Sequence, residues 1–168
     1  MLPALIAVLA TSSLYAGDGD KVRNVILMIG DGMGLTHVYA AMAYKAPEPL
    51  NLERAEYTGI VKTHSANSRV TDSAAAGTAL STGHKTLNDR AGLSVDGEHL
   101  ENLIEKASRH GFATGVVVTS SLTNATPAAF LAHQPDRHME EEIALDIAYS
   151  PADVLFGGGT AKFEKRKD

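Results

Sequence analysis

The apolar residues fall into short blocks of two kinds, separated by glycine-rich turns. Asn24-Val25-Ile26-Leu27-Met28-Ile29 is a continuous apolar run that breaks at Gly30, the pattern of a strand buried on both faces. Residues 113–119, with three consecutive valines, have the same character, residues 57–63 predict a further strand, and residues 153–156 predict a short buried one. Between these runs the spacing turns helical. Residues 36–45 predict a helix that must stop before Pro47-Glu48-Pro49. The Ala-rich run from Asp72 or Ser73 to Ser81 predicts a second, closed by Gly83. Leu100, Leu103, Ile104 and Ala107 recur at i, i+3, i+4 and i+7, which predicts an amphipathic helix with Gly111 just past its end. Short helices are predicted at residues 127–133 and 139–149. Alternating strands and helices of this kind predict an α/β fold: a doubly wound, mostly parallel sheet with helices on both faces. In such sheets ligands bind beyond the carboxyl ends of the strands, so the loops after the strands are where chemistry is expected.

The two ends read differently from the middle. Residues 2–10 are apolar and are followed by Thr11-Ser12-Ser13-Leu14-Tyr15-Ala16. The run is well short of the roughly 20 residues that span a bilayer and suits the apolar region of a secretory signal, with cleavage after Ala16; the alternative is a buried N-terminal helix. Residues 17–168 would then form the mature chain, working in the periplasm or outside the cell. At the other end, the strand at 153–156 and Gly157-Gly158-Gly159 should feed another element, yet the sequence stops at Asp168. The fold is therefore expected to be incomplete at the C-terminus.

Composition narrows the chemistry. The 168 residues are 44% hydrophobic and 21% charged, ordinary globular usage that argues against intrinsic disorder. Fifteen basic against twenty acidic side chains leave a net charge of −5, which argues against nucleic acid as a specific partner. With no cysteine there is no disulfide, no thiolate metal site and no thiol nucleophile. A metal here must be held by carboxylate, hydroxyl or imidazole.

Three post-strand segments could carry chemistry. In Gly30-Asp31-Gly32-Met33-Gly34 the carboxylate of Asp31 would project from a strand end, either to bridge cations or as a solvated acid in a turn. A dinucleotide loop is excluded because Leu35 stands where the G-x-G-x-x-G fingerprint needs its last glycine, and His84 interrupts the Gly-Lys pair of a Walker loop. In Val70-Thr71-Asp72-Ser73-Ala74-Ala75-Ala76-Gly77-Thr78-Ala79, Ser73 falls at the start of a helix. The N–H groups there suit an anion such as phosphate, and with no local histidine as base a metal is the other route to an activated Ser73; the plain alternative is that Asp72 or Ser73 only caps the helix. In Ser121-Leu122-Thr123-Asn124-Ala125-Thr126-Pro127, Thr126 is either an N-cap before Pro127 or a hydroxyl ligand to Mg²⁺, and Arg137 either a surface charge or a bidentate phosphate clamp. Asn124-Ala125-Thr126 also fits the glycosylation pattern.

Together these segments resemble the alkaline phosphatase family. Residues 24–34 are similar to its opening strand and metal loop, residues 70–79 to its nucleophile motif, and Ala125-Thr126-Pro127-Ala128 with Ala132-His133 and Arg137 to its third block; Leu155-Phe156-Gly157-Gly158-Gly159 also has a counterpart. The resemblance implies two zinc ions and one magnesium, with Asp31 bridging a zinc and the magnesium. It further implies that Ser73 binds zinc and is phosphorylated, that Thr126 is a magnesium ligand, and that Arg137 holds two phosphate oxygens. Phosphomonoesters would be hydrolysed through a phosphoserine, yielding inorganic phosphate, in an enzyme that is homodimeric when complete. Asn124 stands where relatives often carry Asp or His, which weakens its claim as a magnesium ligand. None of the seven histidines falls where the family places a zinc ligand, so the 168 residues alone are expected to be inactive. The alternatives are a truncated or inactive chain that binds only phosphate or metal, and a related phosphodiesterase or sulfatase.

Overall fold

The computed structural model describes residues 22–164, so the expected signal segment 1–16 lies outside the described residues. The chain divides into two compact units, Met1–Val61 and Lys62–Asp168.

In the first unit, α1 (Leu35–Lys45) forms where the helical spacing placed it. It begins at Gly34, whose N–H donates to Nδ1 of His37 at 3.3 Å, and ends at Ala46, the residue before Pro47. A 3₁₀ turn at Asn51–Arg54 follows, with Glu53 Oε1 accepting from the N–H of Leu50 at 2.7 Å. The run Val25 to Ile29 is not a strand: its residues are 40% to 88% exposed and have no ladder partner among the described residues. The same holds at residues 57–63, where Ile60 is fully exposed. A two-sided buried strand takes its ladder bonds and its cover from neighbouring elements, and among the described residues neither run has a ladder partner.

The second unit carries the sheet: β1 (Gly115–Ser121) and β2 (Val154–Gly158) pair in parallel, Gly115 opposite Val154 and Val117 opposite Phe156, with a register irregularity before Ser121 opposite Gly158. Parallel strands need a crossover, supplied here by α4 (Ala125–Leu131) and α5 (Glu140–Tyr149). Alternation along the strands sets their faces. Val116, Val118 and Leu155 pack onto the core of Leu122, Phe130, Leu131, Ile143 and Ile147. Val117 and Phe156, on the opposite face, are 70% and 65% exposed, so within this unit the described residues cover one face of the sheet. Three acids, Glu140, Glu141 and Glu142, occupy the first turn of α5, where the helix dipole favours negative charge.

Two further helices complete the unit, α2 (Ser73–Thr82) and α3 (Leu103–Arg109). α3 starts later than its apolar spacing suggested because Asn102 and Glu105 form a capping box: the N–H of Glu105 donates to Asn102 Oδ1 at 3.0 Å, and the N–H of Asn102 to Glu105 Oε2 at 2.9 Å. Leu100 is left before the helix. α2 packs directly on α4, and the reason is composition. Ala74, Ala75, Ala128 and Ala129 are all buried, and a Cβ on Gly77 would lie 2.8 Å from Ala129 Cβ, so only glycine permits this approach. Ser81 Oγ, 2% exposed, donates to the carbonyl of Ala129 at 2.6 Å and locks the two helices together.

Candidate active site

The close packing of α2 on α4 brings two helix N-termini into one region. Asp72 caps α2: its backbone is extended, and Oδ1 accepts from the N–H of Ala75 at 2.9 Å. Ser73 is thereby the first helical residue, half-buried, in the turn where backbone N–H groups face outward. α4 is capped by Asn124, not by Thr126: Asn124 Oδ1 accepts from the N–H of Ala125 at 2.7 Å, and Pro127 sits third in the helix. That position still tolerates proline, because the first four N–H groups of a helix have no intrahelical acceptor.

Arg137 reaches this region from the loop between α4 and α5. Its N–H donates to the carbonyl of Asp89 at 2.7 Å, and Ala91 and Gln134 exchange two backbone hydrogen bonds of 3.0 Å, so the loop is tied down on both sides of Asp136. The guanidinium is held twice. Nη1 donates to Asp72 Oδ2 at 3.1 Å and Nη2 to Asn124 Oδ1 at 3.4 Å. Side-chain exposures of 24% for Arg137 and 18% for Asp72 make this a half-buried ion pair. Burial pushes the Asp72 carboxyl up, but the N–H of Ala75, the Arg137 guanidinium and the N–H groups of Asp89 and Ala74 outweigh it. The carboxyl is held below the usual carboxylate range and stays charged at neutral pH.

The loop entering α2 is fixed by an amide. Asn88 Oδ1 accepts from the N–H of Asp72 at 3.2 Å and its Nδ2 donates to the carbonyl of Val70 at 3.0 Å. Asn67 Oδ1 in turn accepts from the N–H of Asn88 at 3.0 Å and from Ser65 Oγ at 3.1 Å. Nothing in the sequence marked Asn88 or Asn67, and the role of Asp72 as partner to Arg137 was equally hidden; only its place beside Ser73 in the nucleophile motif could have raised it.

Of the expected site residues, Ser73, Asn124, Thr126 and Arg137 lie in the second unit, on or beside the paired helices α2 and α4. Asp31 lies in the first unit, exposed in the turn before α1, where Gly32 adopts φ +67°. The donors expected to hold metal are one carboxylate and two hydroxyls, with an amide whose Oδ1 already serves Ala125 and Arg137. Oxygen donors of this kind fit a hard cation such as magnesium, whereas zinc ordinarily takes nitrogen or sulfur as well.

Fold and site define an α/β protein that sets a serine at a helix N-terminus beside a pinned arginine, an arrangement suited to an oxyanion. Comparison with known proteins narrows this. Residues 22–168 match the family Alkaline phosphatase. Alkaline phosphatase 4 of Bacillus subtilis is 35% identical over 99% of this chain and 42% of its own length, and streptomycin-6-phosphate phosphatase of Streptomyces griseus is 38% identical over 95% and 37%. The solved alkaline phosphatase of the Antarctic bacterium TAB5 superposes with a TM-score of 0.78 at 42% identity, covering 82% of this chain and 40% of the other. A variant of that enzyme was solved with Mg bound in its M3 site. The chain belongs to the alkaline phosphatase family, and it spans about two fifths of the length of these relatives.

Proposed function

We propose that this chain supplies the nucleophile and the phosphate clamp of a metal-dependent phosphomonoesterase working through a phosphoserine at Ser73. The observation that carries the reading is Arg137 fastened by Asp72 and Asn124 beside the first turn of α2. A phosphate placed there meets a guanidinium able to take two of its oxygens and the outward N–H groups of the helix. Ser73 Oγ attacks phosphorus, the bond to the departing oxygen breaks, and the serine proton passes through solvent to that oxygen, which leaves as the alcohol. A water then attacks phosphorus, the Oγ–P bond breaks, Ser73 regains its proton and inorganic phosphate leaves. Asp31, Ser73 and Thr126 would be this chain's share of the ligands for magnesium, which their oxygens fit, and for zinc, which would need nitrogen donors besides, with Asn124 contributing weakly because its oxygen is already engaged. Bound, these ions would neutralise phosphate charge and lower the pKa of oxygens attached to them. Membership of the family and the phosphatase names of the relatives favour monoesters over diesters or sulfate esters. A homodimer exported by a signal at residues 1–16 to the periplasm or the medium, with residues 17–168 forming part of the catalytic domain, completes the reading.

The test is a chimera in which residues 22–168 replace the matched segment of the Bacillus subtilis relative. Hydrolysis of p-nitrophenyl phosphate is expected, with a Ser73→Ala version losing it and losing phosphate labelling in single turnovers. Undiminished turnover in the Ser73→Ala chimera, or greater turnover of a diester, refutes the proposal. The 168-residue chain alone is expected to release no phosphate, because one carboxylate and two hydroxyls leave zinc without nitrogen donors at the site. Release that Ser73→Ala abolishes would overturn that expectation.

A further inference from the structure

A second set of donors converges away from α2, where the start of α3 meets the end of α4. His99 precedes the Asn102 cap, Glu105 occupies the first turn of α3 and His133 follows α4. His99 Nε2 lies 3.4 Å from Glu105 Oε1, and His133 Nε2 lies 3.7 Å from Glu105 Oε2. The imidazoles stack with centroids 3.5 Å apart and planes inclined by 23°, and one donor atom from each residue lies within 4.8 Å of the others. Tetrahedral zinc with bonds of about 2.0–2.2 Å to nitrogen and oxygen separates neighbouring donors by roughly 3.3–3.6 Å. The two imidazole–carboxylate separations are close to that size, and because the stacked rings point their nitrogens nearly parallel, His99, whose side chain is 58% exposed, must swing out of the stack for both nitrogens to face one ion.

The donors are also held in place. Glu105 is fixed by the capping box with Asn102, which is 1% exposed. The N–H of His133 donates to Asp146 Oδ2 at 3.0 Å, and that same oxygen accepts from Gln134 Nε2 at 2.9 Å. Burial pushes His133 below the ordinary histidine value, Glu105 pulls it up and His99 pushes it down again. The net direction is downward. His133 Nε2 lies 3.1 Å from the Leu100 carbonyl, so metal uptake would exchange the proton directed at that oxygen for the cation. All three donors line a cavity of about 360 Å³ shared with Asn102 and Asp146, leaving room for water at a fourth position.

We propose that His99, Glu105 and His133 form a binding site for a divalent transition-metal cation, built from residues other than those around Ser73. Imidazole and carboxylate in a two-to-one set are zinc-type ligands, and three protein ligands with an open position leave the ion accessible. The site depends on none of the roles given to Asp31, Ser73 or Thr126.

The test is a Zn²⁺ titration by calorimetry and equilibrium dialysis on the whole chain carrying Asp31→Asn and Ser73→Ala, so that uptake cannot arise from those donors. One equivalent of zinc is expected to bind. Adding His99→Ala or Glu105→Gln should each weaken binding at least tenfold with an unchanged circular dichroism spectrum. His99 is exposed, and Gln at 105 still offers an oxygen to the N–H of Asn102, so both variants retain the fold. No zinc uptake by the background chain, or unchanged affinity in both variants, overturns the proposal.

Discussion

Replacing Asp72 by asparagine isolates the ion pair from the cap. Oδ1 of Asp72 accepts from the N–H of Ala75 at 2.9 Å, and Oδ2 accepts from Arg137 at 3.1 Å. Asparagine keeps an oxygen for Ala75 but turns an amide N–H₂ toward a guanidinium, donor against donor. Exposed ion pairs contribute ~0.2–1 kcal/mol and breaking a buried one costs ~3–5 kcal/mol, so this half-buried pair should contribute about 1–2 kcal/mol. Asp72→Ala removes the cap as well, for about 1 kcal/mol more. With a urea slope near ~2 kcal/mol per molar, Asp72→Asn should lower the unfolding midpoint by roughly 0.5–1 M at pH 7. The pH dependence has a fixed sign. The folded carboxyl titrates below its ordinary value of 3.8, so the unfolded chain takes up protons first on acidification. The contribution is full above that ordinary value, is lost as pH falls through the folded value, and is absent below both. Urea unfolding followed by circular dichroism should show wild type and Asp72→Asn converging on acidification through this range. A difference that is absent at pH 7, or that persists undiminished after both states are protonated, refutes the reasoning.

Gly77→Ala should lower the melting temperature even though alanine is the better helix former, since its Cβ would sit 2.8 Å from Ala129 Cβ and overpacking costs ~1–3 kcal/mol; calorimetry reads the loss, and an unchanged or higher melting temperature contradicts the packing argument. In the chimera, Arg137→Lys should cut kcat/KM by about 10²-fold or more, because an ammonium cannot span Asp72, Asn124 and two phosphate oxygens at once; a loss under tenfold means the fork geometry is not used.

The helices were legible because their information is local. Gly83 and Gly111, both at φ +79°, end α2 and α3 where the sequence placed a left-handed stop. The valine run of β1 and the short run of β2 were legible for the same reason, each displaced by one or two residues. The runs at Val25–Ile29 and 57–63 show the other side. An apolar run records how much burial a segment calls for, but a strand exists only with a partner, and no residue names its partner. The region around Ser73 divides in the same way. The nucleophile motif and Arg137 could be read off the chain. The bond between Arg137 and Asp72 joins positions 65 apart, and the hold of Asn88 on Val70 and Asp72 is a product of loop shape. Of the two readings open for Thr126, the cap of α4 is taken by Asn124, whose own oxygen accepts from the N–H of Ala125 two positions before Pro127.

Arg137 also bears on when disorder is lost. A free arginine side chain carries about 2 kcal/mol of rotamer entropy that a ligand must ordinarily remove on binding. Here Nη1 and Nη2 are already tethered and the backbone N–H is fixed to Asp89, so that freedom is surrendered when the chain folds. An anion arriving at α2 meets a side chain that has stopped searching. Its affinity then rests on charge and hydrogen bonds with little left to freeze.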